Sequence, residues 1–175
     1  FVRDWALSNN LSMEFNMAVS VGDQIPNVTI KTMGEKGPED FNTGDFFAGK
    51  KVVLFAVPGA FTPTCSAAHV PGFVVNADKI LAKGVDAIVC LSVNDAFVMS
   101  AWGQSQNAEA LVMAADGNGE FTQAMGLTLD GSGFGLGHRS SRYALIAEDG
   151  KITTLNAEQG GAFEVSSAEK ILEAL

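Results

Sequence analysis

The sequence predicts an α/β sandwich in which helices cover one mixed β-sheet, and three observations predict it. Two continuous runs of β-branched and aromatic residues, 51–57 (KVVLFAV) and 85–93 (VDAIVCLSV), have the composition of strands buried on both faces. Helical spacing of apolar residues falls between and after such runs, giving the order β-α-β-α-β-(α)-β-β-α. The 175 residues, 47% hydrophobic and 18% charged, suit one domain with a full core and exclude intrinsic disorder.

The elements follow in chain order. Val28 to Thr32 reads as a short strand, Gly34 to Asp40 as a polar turn, and Phe41 to Asp45 as the lead into a short apolar turn ending at Gly49. Pro58-Gly59 ends the first buried run. A helix then spans Thr64 to Gly84, with Ala67, Ala68, Phe73, Ala77, Ile80 and Leu81 at helical spacing, Gly84 as its stop and Pro71 expected to kink or split it. After the second buried run, Asn94 or Asp95 caps a helix reaching about Ser105. Leu111 to Ala115 is a third strand, and residues 116–119 turn into a short helix over Phe121 to Met125. The glycine-rich stretch Thr128 to Gly137 has no period and reads as a surface loop. Asp149-Gly150 between two apolar runs predicts a hairpin of Tyr143–Ala147 and Ile152–Leu155. Ser166 and Glu169 are spaced as a capping box for a final amphipathic helix.

Charge narrows the function classes. Eleven basic against twenty acidic residues, net charge -9, disfavours nucleic acid and anionic membrane surfaces. There is no uncharged apolar run long enough for a transmembrane helix. Residues 1–16 lack the basic and apolar parts of a secretory signal and read as a leader or extension, with the working domain over 17–175. Two cysteines, Cys65 and Cys90, exclude a disulfide-dense scaffold and a four-cysteine zinc site. Both lie in apolar segments, which favours a reducing, cytoplasmic setting with one or both thiols in use; a single structural disulfide in an exported protein is the alternative.

The chemistry concentrates in Pro58-Gly59-Ala60-Phe61-Thr62-Pro63-Thr64-Cys65. Cys65 falls in the first turn of a helix, where free N–H groups and the macrodipole favour negative charge, so a thiol there ionises more readily than a free one. Thr62, three residues earlier, brings its hydroxyl to the same side. Pro58 closes the strand without offering an N–H, and Pro63 suits the first helical position. The competing reading makes Cys65 a plain core cysteine. His69, four residues after Cys65, reads as a helix residue bonded to backbone or to a subunit partner, rather than as a catalytic or metal-ligating group. His138 reads as a loop residue. Gly117 and Gly119 do not form a nucleotide-binding motif.

Pro58, Thr62 and Cys65 form the pattern P-x-x-x-T-x-x-C, which resembles the active-site signature of peroxiredoxins. PGAFTPTCSAAHVPGF, CLSVNDAFVMSAWG and RSSRYALI resemble their type II, or type 5 (atypical), subfamily over residues 19–175. The resemblance implies a thioredoxin-like fold with N-terminal additions and thiol-dependent peroxidase activity. Cys65 is then the peroxidatic nucleophile that becomes a sulfenic acid. Thr62 and Arg142 position the peroxide, and Pro58 shields the sulfur. Arg139 is the rival for the arginine, because both precede the same strand. The implied substrates are hydrogen peroxide and small alkyl hydroperoxides, with no metal or organic cofactor.

Some family members resolve the sulfenic acid with a cysteine near the C-terminus, but residues 159–175 contain none. Cys90 matches the spacing of a second cysteine in plant members, so it either resolves after local movement or stays a core residue. The second option gives a one-cysteine enzyme recycled by glutathione with glutaredoxin, or by thioredoxin. The resemblance also implies a homodimer, which suits the apolar Phe134 and Leu136 in the glycine-rich loop. The rival functions are a redox sensor or holdase using the same cysteine, and a non-catalytic interaction module.

Overall fold

The computed structural model describes residues 17–175, so the leader assigned to residues 1–16 lies outside the described residues. Among the described residues, nine strands and five α-helices are arranged around one seven-stranded mixed sheet and a small second sheet. The strands of the large sheet are β1 Thr29–Gly34, β2 Gly37–Asn42, β3 Lys51–Ala56, β4 Ala87–Ser92, β5 Val112–Ala115, β8 Tyr143–Glu148 and β9 Lys151–Ala157. Their order across the sheet is β2-β1-β5-β4-β3-β8-β9. Strands β3, β4 and β5 are parallel, and β8 runs antiparallel beside β3.

The central strands form where expected, and for the expected reason. Val52 through Val57 are all buried, with alternate residues entering different cores. Val53, Phe55 and Val57 face α2 (Val70–Leu81), α3 (Ala96–Ser105) and α5 (Ala168–Ala174). Val52, Leu54 and Ala56 face α1 (Thr43–Phe47) and α4 (Glu120–Met125). Each large apolar side chain buried in this way contributes about 1.5–3 kcal/mol. Phe55 also stacks on Phe73 of α2 at 3.9 Å between ring centroids, worth about 0.5–1.5 kcal/mol beyond area burial.

The unit β3-α2-β4, then α3, the β8–β9 hairpin and α5, is the thioredoxin-like core. The β1–β2 hairpin and α1 precede it as N-terminal additions. Asp149 and Gly150 both take positive φ, as a tight Asp-Gly hairpin requires.

Three expectations need correction. The supposed polar turn Gly34–Asp40 is a hairpin, with β2 pairing along all of β1. Strand β2 lies at the sheet edge and exposes half of its residues, Pro38 to Asp40 in a row, so it has no apolar alternation to reveal it. The glycine-rich loop contains β6 (Thr128–Asp130) and β7 (His138–Ser140), a two-stranded sheet too short to leave a period in the sequence. The last helix is capped by Ser167, whose Oγ accepts from Lys170 N, and not by Ser166. The Ser166 hydroxyl instead donates to Glu158 at 2.6 Å. For α3, Asp95 is the cap, whereas Asn94 Oδ1 accepts from Ala60 N and the Ser92 hydroxyl.

Candidate active site

The site forms where β3 and β4 end, the position that open α/β sheets use for ligands. Val57 N donates to Leu91 O, and Asn94 beyond β4 holds Ala60, so the end of β4 fixes the start of the Pro58–Thr64 loop. Helical residues begin at Pro63 and place Cys65 in the first turn. From Cys65 to His69 the helix widens into a π turn, with Val70 N donating to Cys65 O. Pro71 explains the change of pitch: it has no N–H for the α-helical ladder and its ring crowds the preceding turn. The expected split therefore lies just N-terminal to Pro71, which itself sits in the first turn of α2. Trp102 of α3 pins the widened turn, its Nε1 donating to Ser66 Oγ at 3.0 Å.

Cys65 is fully buried. Its Sγ lies 3.0 Å from Thr62 Oγ1 and 3.1 Å from Arg142 Nη2. The Thr62 hydroxyl is also 2.6 Å from Gly59 O. Its single proton therefore has two acceptors within reach, the carbonyl and the sulfur. Arg142 stands immediately before β8, antiparallel to β3, and is 6% exposed. Arg139 reaches elsewhere, donating from Nε to Leu136 O and from Nη1 to Val93 O. Pro58 is half-buried on the same loop. Cys65, Thr62 and Arg142 are thus brought into direct contact.

His69 supplies a link absent from the sequence reading. Its Nε2 lies 2.8 Å from Ser166 O, which can only accept, so Nε2 carries the proton and donates. Nδ1 is then a lone pair and accepts from Arg142 Nη1 at 2.9 Å. Burial, and secondly the Arg142 guanidinium, push its pKa down to about 3, so the ring stays neutral at working pH. The expected backbone bond is present, but the ring also orients the arginine. The signal available was His69 at four residues from Cys65; its partner Arg142 is too distant in sequence for spacing to show.

Behind His69, the Glu158 carboxylate accepts from the amides of Glu164, Val165 and Ser166 and from the Ser166 hydroxyl. Burial pushes the Glu158 carboxyl up, but these bonds outweigh it and leave it below the ordinary carboxylate range. Cys90 is buried on β4 in the same core as Cys65. Burial, and secondly the neighbouring Cys65, push the Cys90 thiol well up.

A thioredoxin-like fold with a buried cysteine held between a threonine hydroxyl and a guanidinium is that of a thiol peroxidase. Comparison with known proteins agrees. The family model Redoxin matches residues 20–172. Peroxiredoxin-2B of Arabidopsis thaliana is 51% identical over 159 residues, covering 90% of this chain and 98% of the relative. Chloroplastic peroxiredoxin-2E-2 of Oryza sativa subsp. japonica is 51% identical over 163 residues, covering 90% and 72%. The crystal structure of reduced Prx3 of Vibrio vulnificus in complex with hydrogen peroxide superposes with a TM-score of 0.87 at 56% identity, covering 89% of this chain and 98% of that one. The chain belongs to the redoxin family, among the peroxiredoxins. It is an oxidoreductase that acts on peroxides and is reduced by thiol partners.

Proposed function

We propose that the chain reduces hydrogen peroxide and small alkyl hydroperoxides as a one-cysteine peroxidase, with Cys65 as nucleophile. The observation that carries this reading is the sulfur held at 3.0 Å by Thr62 and 3.1 Å by Arg142. The Cys65 thiolate attacks the distal oxygen of the hydroperoxide. A sulfur–oxygen bond forms as the O–O bond breaks, and the leaving oxygen takes up a proton to give water or alcohol. Cys65 is left as a sulfenic acid. The Arg142 guanidinium, the Thr62 hydroxyl and the Cys65 N–H hold the two oxygens in line and stabilise the charge moving to the leaving oxygen. Pro58 walls the sulfur from water. The structure of the Vibrio vulnificus relative with hydrogen peroxide supports the substrate class.

An external thiol then completes the cycle. A first thiolate displaces water from the sulfenic acid to give a mixed disulfide, and a second releases Cys65 and leaves with the oxidised partner. Glutathione with glutaredoxin, or thioredoxin, fills this role, in a reducing compartment such as the cytoplasm. Localisation to an oxidising compartment would end that last point. Cys65 has the Thr62 hydroxyl and the Arg142 guanidinium on its sulfur, whereas burial pushes the Cys90 thiol well up; this contrast supports the one-cysteine route, because resolution needs a thiolate. Mass spectrometry after one equivalent of peroxide is the test. A sulfenate on Cys65 that becomes a glutathione adduct is expected, and Cys90→Ser should keep most glutathione-supported turnover. A Cys65–Cys90 disulfide, or collapse of turnover in Cys90→Ser, would make Cys90 the resolving thiol.

Exposed Phe61, Phe97 and Phe134, the last 90% exposed, support a homodimer. Sedimentation of a monomer at micromolar concentration would exclude it.

A further inference from the structure

We propose that Glu158 is a positioning residue for the peroxide reaction: it holds the Arg142 guanidinium on the Cys65 sulfur through the 164–166 loop and His69. The inference rests on the reading of Arg142 given above and extends it two residues outward.

The geometry is a closed ring of hydrogen bonds. Glu158 N donates to Arg142 O at 2.9 Å, which ties the arginine's backbone. The Glu158 carboxylate gathers the loop: its Oε2 accepts from Glu164 N at 2.8 Å, Val165 N at 3.0 Å, Ser166 N at 2.9 Å and Ser166 Oγ at 2.6 Å. That grip fixes the Ser166 carbonyl, which accepts from His69 Nε2. His69 Nδ1 in turn accepts from Arg142 Nη1, and Arg142 Nη2 reaches the sulfur. One residue therefore sets both the root of the arginine and, at two removes, the direction of its guanidinium.

Two further features separate this from a plain loop anchor. The Ser166 carbonyl selects the histidine tautomer. Without it, a proton on Nδ1 would point at a guanidinium that has only donors. In addition, no acidic side chain of the described residues forms an ion pair with Arg142; their ion pairs lie at Lys31, Lys51 and Lys170. The Glu158 charge is taken up by amides and a hydroxyl, so the guanidinium is steered by a neutral ring and keeps its charge for the sulfur. Phe163, in the same loop, packs 4.9 Å from the His69 ring and 5.7 Å from the Arg142 guanidinium, closing the outer side.

The test uses Glu158→Ala and Glu158→Gln, each alone and with Arg142→Gln. Three quantities are read: the second-order rate constant with hydrogen peroxide, the rate of Cys65 alkylation by iodoacetamide at neutral pH, and the thermal midpoint. Glu158→Ala should slow both reactions by about tenfold to a hundredfold, the range for a misplaced supporting group. Glu158→Gln should recover part of this, because its amide oxygen can still take the Oε2 position. Neither change should slow the Arg142→Gln protein further, since the path runs through that arginine. Slowing that persists undiminished without Arg142, or a lowered midpoint with both rates at wild-type level, overturns the proposal. If Glu158→Ala does not fold, the Glu158→Gln pair decides by the same comparison, and an unslowed Glu158→Gln then counts against the proposal. An Arg142→Gln protein that reacts at wild-type rate overturns the arginine reading first and this inference with it, so the two failures are distinct.

Discussion

Cys65→Ser should abolish peroxide consumption, lowering turnover by about four orders of magnitude or more, as loss of a nucleophile does. The change replaces sulfur with a smaller oxygen in a fully buried pocket. Thr62 and Arg142 remain able to bond to that oxygen, so the fold should persist. A serine hydroxyl, however, remains protonated at neutral pH and is a poor nucleophile towards an O–O bond. Peroxide consumption in a coupled assay, alongside circular dichroism to show a folded protein, checks the outcome. Retention of most activity would move the chemistry away from Cys65. Loss of all peroxide-dependent turnover with reversible oxidation of Cys90 would instead show the core thiol reacting by default.

Arg142→Gln should slow oxidation of Cys65 by about 10²–10³-fold, the scale for removing one preorganised donor at a developing charge. Glutamine keeps a neutral donor but loses the positive charge 3.1 Å from the sulfur. It also loses the second N–H that engages His69. The effect should appear in the second-order rate constant with hydrogen peroxide and in slower alkylation of Cys65 at neutral pH. Arg139→Gln is the control, because Arg139 bonds the carbonyls of Leu136 and Val93 and not the sulfur. It should change stability more than rate. If Arg139→Gln alone slowed the reaction, the arginine assignment would be reversed.

What the sequence could show depended on how local the cause was. Strand β3 was legible because burial on both faces demands an unbroken apolar run, and KVVLFAV is one. The β8–β9 hairpin was legible because Asp149-Gly150 supplies the positive φ that its turn needs. Strand β2 was not, because an exposed edge tolerates Gly-Pro-Glu-Asp and leaves no period. Thr62 could be joined to Cys65 by a three-residue spacing, and Arg142 only by family resemblance. The cap at Ser166 was misplaced for a long-range reason: Glu158, eight residues earlier, competes for its hydroxyl. The role of His69 was hidden for the same reason, since both of its partners lie over seventy residues away in the chain.

The tether between Trp102 and Ser66 has a spectroscopic consequence. One of only two indoles in the chain donates its N–H to Ser66, the residue next to Cys65. Emission from an indole responds to the polarity around it and to that N–H bond. A shift of the Cys65 turn on oxidation would therefore change the environment of a native fluorophore, and Trp102 emission followed during peroxide addition should report it.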